Sequence, residues 1–158
     1  MSLLLIVAIV FVLMEFSNVL VMYFRPGSTK ANSVGIFNAW EKSKQDPEIH
    51  NFVKYLINWV AGTKLIFLLL LTVIILFASP AVQFIGIIAL VISISTFYWR
   101  LYPIIRSMDK EDQITPKNYS RTVAVMILVM IIVFSLALIL QYLGIELLPI
   151  VLPFPIQI

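Results

Sequence analysis

Three polar side chains interrupt the apolar stretches of this 158-residue chain, and together they could bind a proton or a cation. Glu15 and Asn18 are three residues apart, which places them on one face of a helix. Lys64 lies in the next apolar stretch. Because an ionised side chain in hydrocarbon is costly unless it is paired or hydrated, an acid in such a stretch often marks a proton or ion pathway.

The sequence allows two interpretations of these residues. In the first, Glu15 and Lys64 form an ion pair that only fixes the register of two helices. In the second, Glu15 is the protonatable or cation-binding group of a transport pathway, and Lys64 is an internal cation that competes for it. The pathway candidates on this second hypothesis are Glu15, Asn18, Lys64, Ser95 and Thr96.

Few residues are suited to other kinds of chemistry. The chain has no cysteine and one histidine, so it lacks thiolate ligands and a histidine cluster. No pair of acids, and no nucleophile with a base, has the spacing that catalysis requires. We therefore predict no catalytic residues, no bound metal and no cofactor. His50 is assigned only a candidate role in pH sensing.

The elements that must position these residues are membrane-spanning helices. Hydrophobic residues make up 61% of the chain and its mean hydropathy is +1.04, well above the values of soluble domains. A helix needs about 20 apolar residues to cross about 30 Å of hydrocarbon. We predict an all-α integral membrane protein, a single domain over residues 1–158 with four transmembrane helices in a compact bundle. The predicted spans are residues 3–24, 57–78, 81–102 and 122–143.

The depths of the charged residues in these spans match. At a rise of about 1.5 Å per residue, Glu15 lies about 21 Å from Met1, and Lys64 lies equally far from Ala78 at the outer end of the second span. Ser95 and Thr96 of the third span fall in the same layer.

The distribution of the 11 basic residues predicts the topology. Lysine and arginine collect in cytoplasmic loops because their charge resists translocation. Apart from Lys64, the basic residues lie in or beside the first and third connections, whereas the second has no charged side chain. We predict that both termini lie outside and that loops one and three lie in the cytoplasm. A multi-pass protein of the cytoplasmic membrane is the expected class.

Basic residues near the third loop are candidates for contact with anionic phospholipid at the cytoplasmic face. They are Arg100, Arg106, Lys117 and Arg121. Acidic residues alternate with the basic ones in these loops, a pattern that argues against a nucleic-acid surface. The lipid bilayer is therefore an expected partner and nucleic acid is not.

Loop one, residues 25–56, should contain an interfacial helix around Phe37 and Trp40, followed by a cytoplasmic stub of the second helix. Three residue pairs, in each of which proline follows a capping residue, predict helix starts. The first pair would start the second helix at residue 47 and give it a length of about 48 Å. These pairs are Asp46-Pro47, Ser79-Pro80 and Thr115-Pro116. Loop three is predicted to be a solvated connector, and the apolar, proline-rich tail over residues 145–158 should lie along the outer interface or against a neighbouring subunit.

These features favour a small polytopic membrane protein that acts as an oligomeric transporter or channel for protons, cations or a small solute. A non-catalytic subunit or assembly factor of a larger membrane complex is the alternative, suggested by the apolar tail and the lack of a soluble domain. A lipid-active enzyme at the cytoplasmic face is the second alternative, and it would use Glu48, His50 and the arginines of loop three.

Overall fold

The computed structural model describes residues 2–31 and 33–145, and these fold almost entirely into helices. Four helical segments are long and apolar enough to cross a membrane, so the prediction of a helical, multi-pass membrane protein is confirmed. From residue 146 onward, the predicted outer tail lies outside the described residues. The helices are α1 (Leu3–Phe24), α2 (Asn38–Ser43), α3 (Pro47–Phe77), α4 (Pro80–Ser95), α5 (Phe97–Lys110) and α6 (Tyr119–Tyr142).

The starts of α1 and α3 are set by side chains that cap free backbone amides. The Ser2 hydroxyl accepts a hydrogen bond from the Leu5 amide at 3.3 Å. The Asp46 carboxylate accepts from the amides of Glu48 and Ile49 at 2.9 and 3.3 Å, just before Pro47. The predicted start at Asp46-Pro47 is confirmed, and the 31 residues of α3 extend for about 46 Å.

The third span is longer than its predicted range of residues 81–102. Thr96 keeps helical dihedral angles (φ −61°, ψ −19°) between α4 and α5, so the two helices follow one another as a single span. The helix also continues through Pro103 to Lys110. The helix therefore continues beyond the predicted membrane span, and Ile105 contacts apolar partners in this extension.

Helix α6 begins at Tyr119, so the predicted start at Thr115-Pro116 was wrong. The Thr115 amide instead donates to the Ile36 carbonyl at 2.9 Å, and Asn118 adopts a left-handed conformation (φ 66°) that delays the helix. The Asp109 carboxylate, at the end of α5, caps the new start. It accepts from the Asn118 amide at 3.0 Å, the Ser120 amide at 3.1 Å and the Ser120 hydroxyl at 2.6 Å.

The four spans pack as a ring in which each contacts two neighbours. Helix α1 packs on α3 and α6, and α4 packs on α3 and α6. An edge-to-face contact of Phe11 with Phe134, with ring centroids 5.5 Å apart, joins α1 to α6. The fully buried members of the core are Leu68, Val19, Phe134, Ala8, Ala61 and Ala137.

Loop one folds tightly between α1 and α2. The Val34 amide donates to the Pro26 carbonyl and the Gly35 amide donates to the Ser28 carbonyl, each at 3.1 Å. A Cβ atom at Gly35 would collide with the backbone of Gly27 and Ser28, so this close approach requires glycine. A short 3₁₀ helix, Val34–Ile36, leads into α2 where the sequence predicts a short helix.

Loop three docks on loop one. Phe37 and Ile114 form an antiparallel bridge, and the Asn38 amide donates to the Gln113 carbonyl at 2.9 Å. Ile36, Ile105 and Ile114 form a second apolar core beneath this bridge. Both basic loops therefore lie at one end of the bundle, here called the basic end, and the α3–α4 turn marks the opposite, neutral end. Loop three packs against loop one and is more than a solvated connector.

The second core predicts different effects for two neighbouring isoleucines. Ile105 is 7% exposed and Ile104 is 58% exposed. Ile105→Ala should lower the free energy of unfolding by about 2–3 kcal/mol, because it leaves a cavity under the loop bridge. It should also speed hydrogen exchange at the amides of Asn38 and Thr115. Ile104→Ala is the matched control, and equal exchange rates in the two variants would contradict the docking of the loops.

Candidate functional site

The candidate site lies in the seam between α1 and α3. Buried residues of α3 recur at intervals of three, four or seven residues, a spacing typical of helices that wind around each other. Lys64 lies between the buried residues Ala61 and Leu68 of α3. Glu15 lies in the same way between the buried residues Phe11 and Val19 of α1. The buried series are Leu4, Ala8, Phe11, Val19 and Met22 in α1, and Ile57, Ala61, Leu68, Leu71 and Ile75 in α3.

Glu15 and Lys64 form an ion pair across this seam. The Lys64 Nζ atom lies 2.5 Å from Glu15 Oε2. The second carboxylate oxygen, Oε1, accepts a hydrogen bond from Asn18 Nδ2 at 3.1 Å. Both oxygens of the carboxylate are therefore engaged, one by a charge and one by an amide. The structure brings together the three residues whose types and depths predicted a site, and their role in transport stays a prediction.

The pair is not fully enclosed by the chain. The Glu15 side chain is 14% exposed and the Lys64 side chain is 29% exposed. Both lie deep in helices that are long enough to cross a membrane. An ion pair in a medium of low polarity attracts strongly, but each ion has lost its hydration, so the net gain depends on the completeness of its contacts. The Glu15 carboxylate contacts both Lys64 and Asn18, whereas the Lys64 ammonium contacts only the Glu15 carboxylate among the polar groups of the described residues.

Ser95 and Thr96 do not bond to the ion pair. The Ser95 hydroxyl donates to the Val91 carbonyl at 2.7 Å, and the Thr96 hydroxyl donates to the Ser93 carbonyl at 2.6 Å. Both residues are exposed. Their hydroxyls thus satisfy backbone carbonyls of their own helix, near the junction of α4 and α5.

His50 lies where α2 packs on the beginning of α3. Its Nδ1 atom is 2.9 Å from the Ser43 hydroxyl, and its ring centroid is 4.8 Å from that of Trp40. The Ser43 hydroxyl also donates to the Trp40 carbonyl at 2.8 Å. Ser43 is buried, and this arrangement anchors loop one. Among the described residues, no hydrogen bond joins His50 to Glu48 or to an arginine.

The four lipid-contact candidates fall into two groups. Arg100, Arg106 and Arg121 are exposed and form no ion pair with the described residues. Lys117 instead contacts Asp112, with Nζ 2.8 Å from Oδ1. The hydrogen bond to Asp112, together with its charge, raises the pKa of Lys117 above the ordinary value for lysine. Lys117 is therefore charged at neutral pH but already partnered.

Sequence reasoning missed two polar contacts that hold the basic end together. One is the cap that Asp109 provides for α6. The other is the hydrogen bond of the Tyr98 hydroxyl to the Ala124 carbonyl, at 2.5 Å, which ties α5 to α6. The sequence offers no close-range signal for the first, because Asp109 lies 11 residues before Ser120. Nothing in the local sequence indicates the second, because it spans 26 residues.

Two concavities lie along the described part of the chain. A narrow apolar cavity of about 10 Å³ lies nearer the neutral end and is lined by Leu4, Ile75 and Gln83, among others. A polar depression of about 400 Å³ lies between the loops, beside Asn38 and Glu111. Neither reaches the ion pair. The described residues contain no group of three or more side chains able to hold a metal ion.

Comparison of the chain with protein families, curated proteins and solved structures finds no match.

The ion pair predicts strong coupling between its two residues. Glu15→Gln leaves the Lys64 ammonium without a carboxylate, so the free energy of unfolding should fall by about 2 kcal/mol or more. Lys64→Met in the same chain removes the unpaired charge, and the double variant should recover most of that loss. A double-mutant cycle measured by reversible unfolding should give a coupling of at least about 1 kcal/mol.

The matched control for this cycle is the exposed pair of Glu41 and Lys44, whose atoms are also in contact, at 2.7 Å. Its coupling should stay below about 0.5 kcal/mol, because water screens both side chains. Additive effects of Glu15→Gln and Lys64→Met would contradict a mutually stabilising pair.

Proposed function

We propose that the protein is an oligomeric transporter or channel for protons, cations or a small solute, and that Glu15, Asn18 and Lys64 form its polar site. The observation that carries this proposal is the incompletely enclosed ion pair in the α1–α3 seam. Because acyl chains offer no hydrogen bonds, the open side of such a pair needs water or protein against it. A pathway between subunits meets that need.

Exchange at this site is limited by the balance of its charges. A proton or cation that binds Glu15 takes the place of Lys64, and the ammonium is then unpaired. The long lysine side chain can extend toward the basic end, where water and headgroups solvate it. Binding at Glu15 is therefore coupled to movement of Lys64, which is the kind of two-state change that a transport cycle requires.

A second candidate function is that of a non-catalytic subunit or assembly factor of a larger membrane complex. The apolar surface of the spans favours it. Exposed side chains of α3 include Ile66, Leu70 and Val73. Neither the apolar cavity nor the polar depression adjoins the ion pair. In this role the Glu15–Lys64 pair would only fix helix register.

The proposed topology places the basic end in the cytoplasm and the neutral end outside, in the cytoplasmic membrane. It is supported by the position of the two basic loops at one end of the bundle and by the lack of charge in the α3–α4 turn. Both chain termini would then lie outside. Transport would run between the outer face and the cytoplasm through the layer of Glu15.

A flux assay on purified protein in proteoliposomes tests the transport proposal. Proton and monovalent-cation flux should fall at least about tenfold in Glu15→Gln. A tenfold loss corresponds to roughly 1.4 kcal/mol of binding free energy at the site. Glu41→Gln, which removes the same charge from an exposed loop pair, should leave flux unchanged. Absence of flux in the wild type, with an intact oligomer by light scattering, would contradict transport and favour the subunit role.

The absence of cysteine from the sequence makes the topology directly testable. Single cysteines at Thr29, in loop one, and at Ser79, in the α3–α4 turn, would sit in exposed positions at opposite ends. A membrane-impermeant maleimide added to intact cells should label Ser79→Cys at once. It should label Thr29→Cys only after the membrane is disrupted. The reverse pattern would invert the proposed orientation.

A further inference from the structure

The four spans place a set of arginines at one level of the bundle. About 20 helical residues cross about 30 Å of hydrocarbon. Counted from the neutral end of each span, the opposite boundary falls near residues 23, 57, 100 and 122. Arg25, Arg100 and Arg121 each lie within two residues of this boundary. Arg25 directly follows α1, Arg100 lies in the α4–α5 span, and Arg121 lies in α6.

A direct contact confirms the level of two of these residues. The Tyr98 hydroxyl donates to the Ala124 carbonyl, so these positions lie side by side on α5 and α6. Arg100 follows Tyr98 by two residues, and Arg121 precedes Ala124 by three. Both are therefore displaced toward the basic end by about 3–4.5 Å, which leaves them at nearly equal depth.

No acidic residue of the basic end forms an ion pair with these arginines among the described residues, and most are engaged elsewhere; Glu48, near the start of α3, is the exception. Glu41 pairs with Lys44, and Asp112 pairs with Lys117. The carboxylates of Asp46 and Asp109 cap α3 and α6. The Glu111 carboxylate accepts a hydrogen bond from the Ser107 hydroxyl. Among the described residues, Arg25, Arg100 and Arg121 form no ion pair, and all three are exposed.

Aromatic side chains complete the surface at this level. Trp99 is 76% exposed, and the Arg100 guanidinium lies 5.9 Å from its ring centroid. Tyr98 and Tyr102 lie in the same helix, with ring centroids 5.9 Å apart. Exposed tryptophan at the edge of an apolar span is typical of the headgroup region of a bilayer.

We propose that Arg100 and Arg121, with Arg25 at the same level, bind the phosphate of anionic phospholipids in the leaflet at the basic end. A guanidinium can donate two parallel hydrogen bonds to a phosphate, which an ammonium cannot do. A headgroup with a net negative charge is favoured over a zwitterionic one because no acid at this level offsets the arginines. This surface differs from the four basic residues expected from the sequence. Lys117 pairs with Asp112, Arg106 lies six residues beyond the boundary, and Arg25 is added. It does not depend on the transport proposal.

Native mass spectrometry of the detergent-solubilised protein tests this surface with two probes, phosphatidylglycerol and phosphatidylcholine of matched acyl chains. The wild type should bind phosphatidylglycerol at least about tenfold more tightly, and the double variant Arg100→Gln/Arg121→Gln should lose that preference. The control is Lys44→Gln/Lys117→Gln, which removes the same charge from the paired lysines and should keep the preference.

Two further measurements distinguish a lipid site from a site for soluble phosphate and from a folding defect. Inorganic phosphate at millimolar concentration should not displace phosphatidylglycerol, and displacement at equal affinity would identify a site for soluble phosphate and overturn the proposal. If the double glutamine variant fails to fold by circular dichroism, Arg100→Lys/Arg121→Lys keeps the charge and should still weaken the preference several-fold. Retention of the full preference in any folded arginine variant would also overturn it.

Discussion

The scarcity of hydrogen-bonding partners in hydrocarbon is the constraint on which this structure depends. Every charged side chain must either find its counter-charge inside the bundle or lie where water and headgroups reach it. Among the described residues, only Glu15 and Lys64 take the first course, and they do so in contact with each other. The remaining charges of the described chain lie at the boundary of the spans or beyond it, at the basic end. This separation explains why the neutral end can turn in the two residues between α3 and α4 without any charge.

The Glu15–Lys64 pair also decides how α1 and α3 fit together. Apolar residues in a seam tolerate a shift of one helical turn, because one aliphatic contact replaces another. A shift of one turn, about 5.4 Å, would part the two charges and leave each facing acyl chains. The pair therefore selects one register from several with similar packing. This structural role is compatible with transport, since a group that fixes one register when paired favours a different arrangement when it is protonated or bound to a cation.

The sequence predicted those features that depend on local pattern or on depth. Apolar run length gave the four spans, Asp46-Pro47 gave the start of α3, and equal depth paired Glu15 with Lys64. Local signals did not reveal features that depend on contacts distant in sequence. The third span continues past residue 102 because Ile105 packs against Ile36 and Ile114. The start of α6 is delayed because the Thr115 amide bonds to loop one, 79 residues away, instead of opening a helix. Ser95 and Thr96 were predicted to join the polar site because of their depth alone. Depth does not reveal the direction in which a side chain points.

The docked loops limit the motions that can separate the ion pair. At the basic end, loop one is tied to loop three through Phe37 and Ile114, and α5 is tied to α6 through Asp109. Helix α3 extends about 16 Å beyond the hydrocarbon thickness and is held there by the contact of His50 with Ser43. These contacts join the basic ends of all four spans into one unit. At the neutral end, the described chain has only the α3–α4 turn as a connection. A movement that parts Glu15 from Lys64 while the basic end stays assembled therefore tilts α1 away from α3 at the neutral end, and it must also separate buried residues such as Leu4, Ala8 and Phe11 from their partners. Such a tilt would open the seam at the neutral end, and closing it would return Glu15 to Lys64.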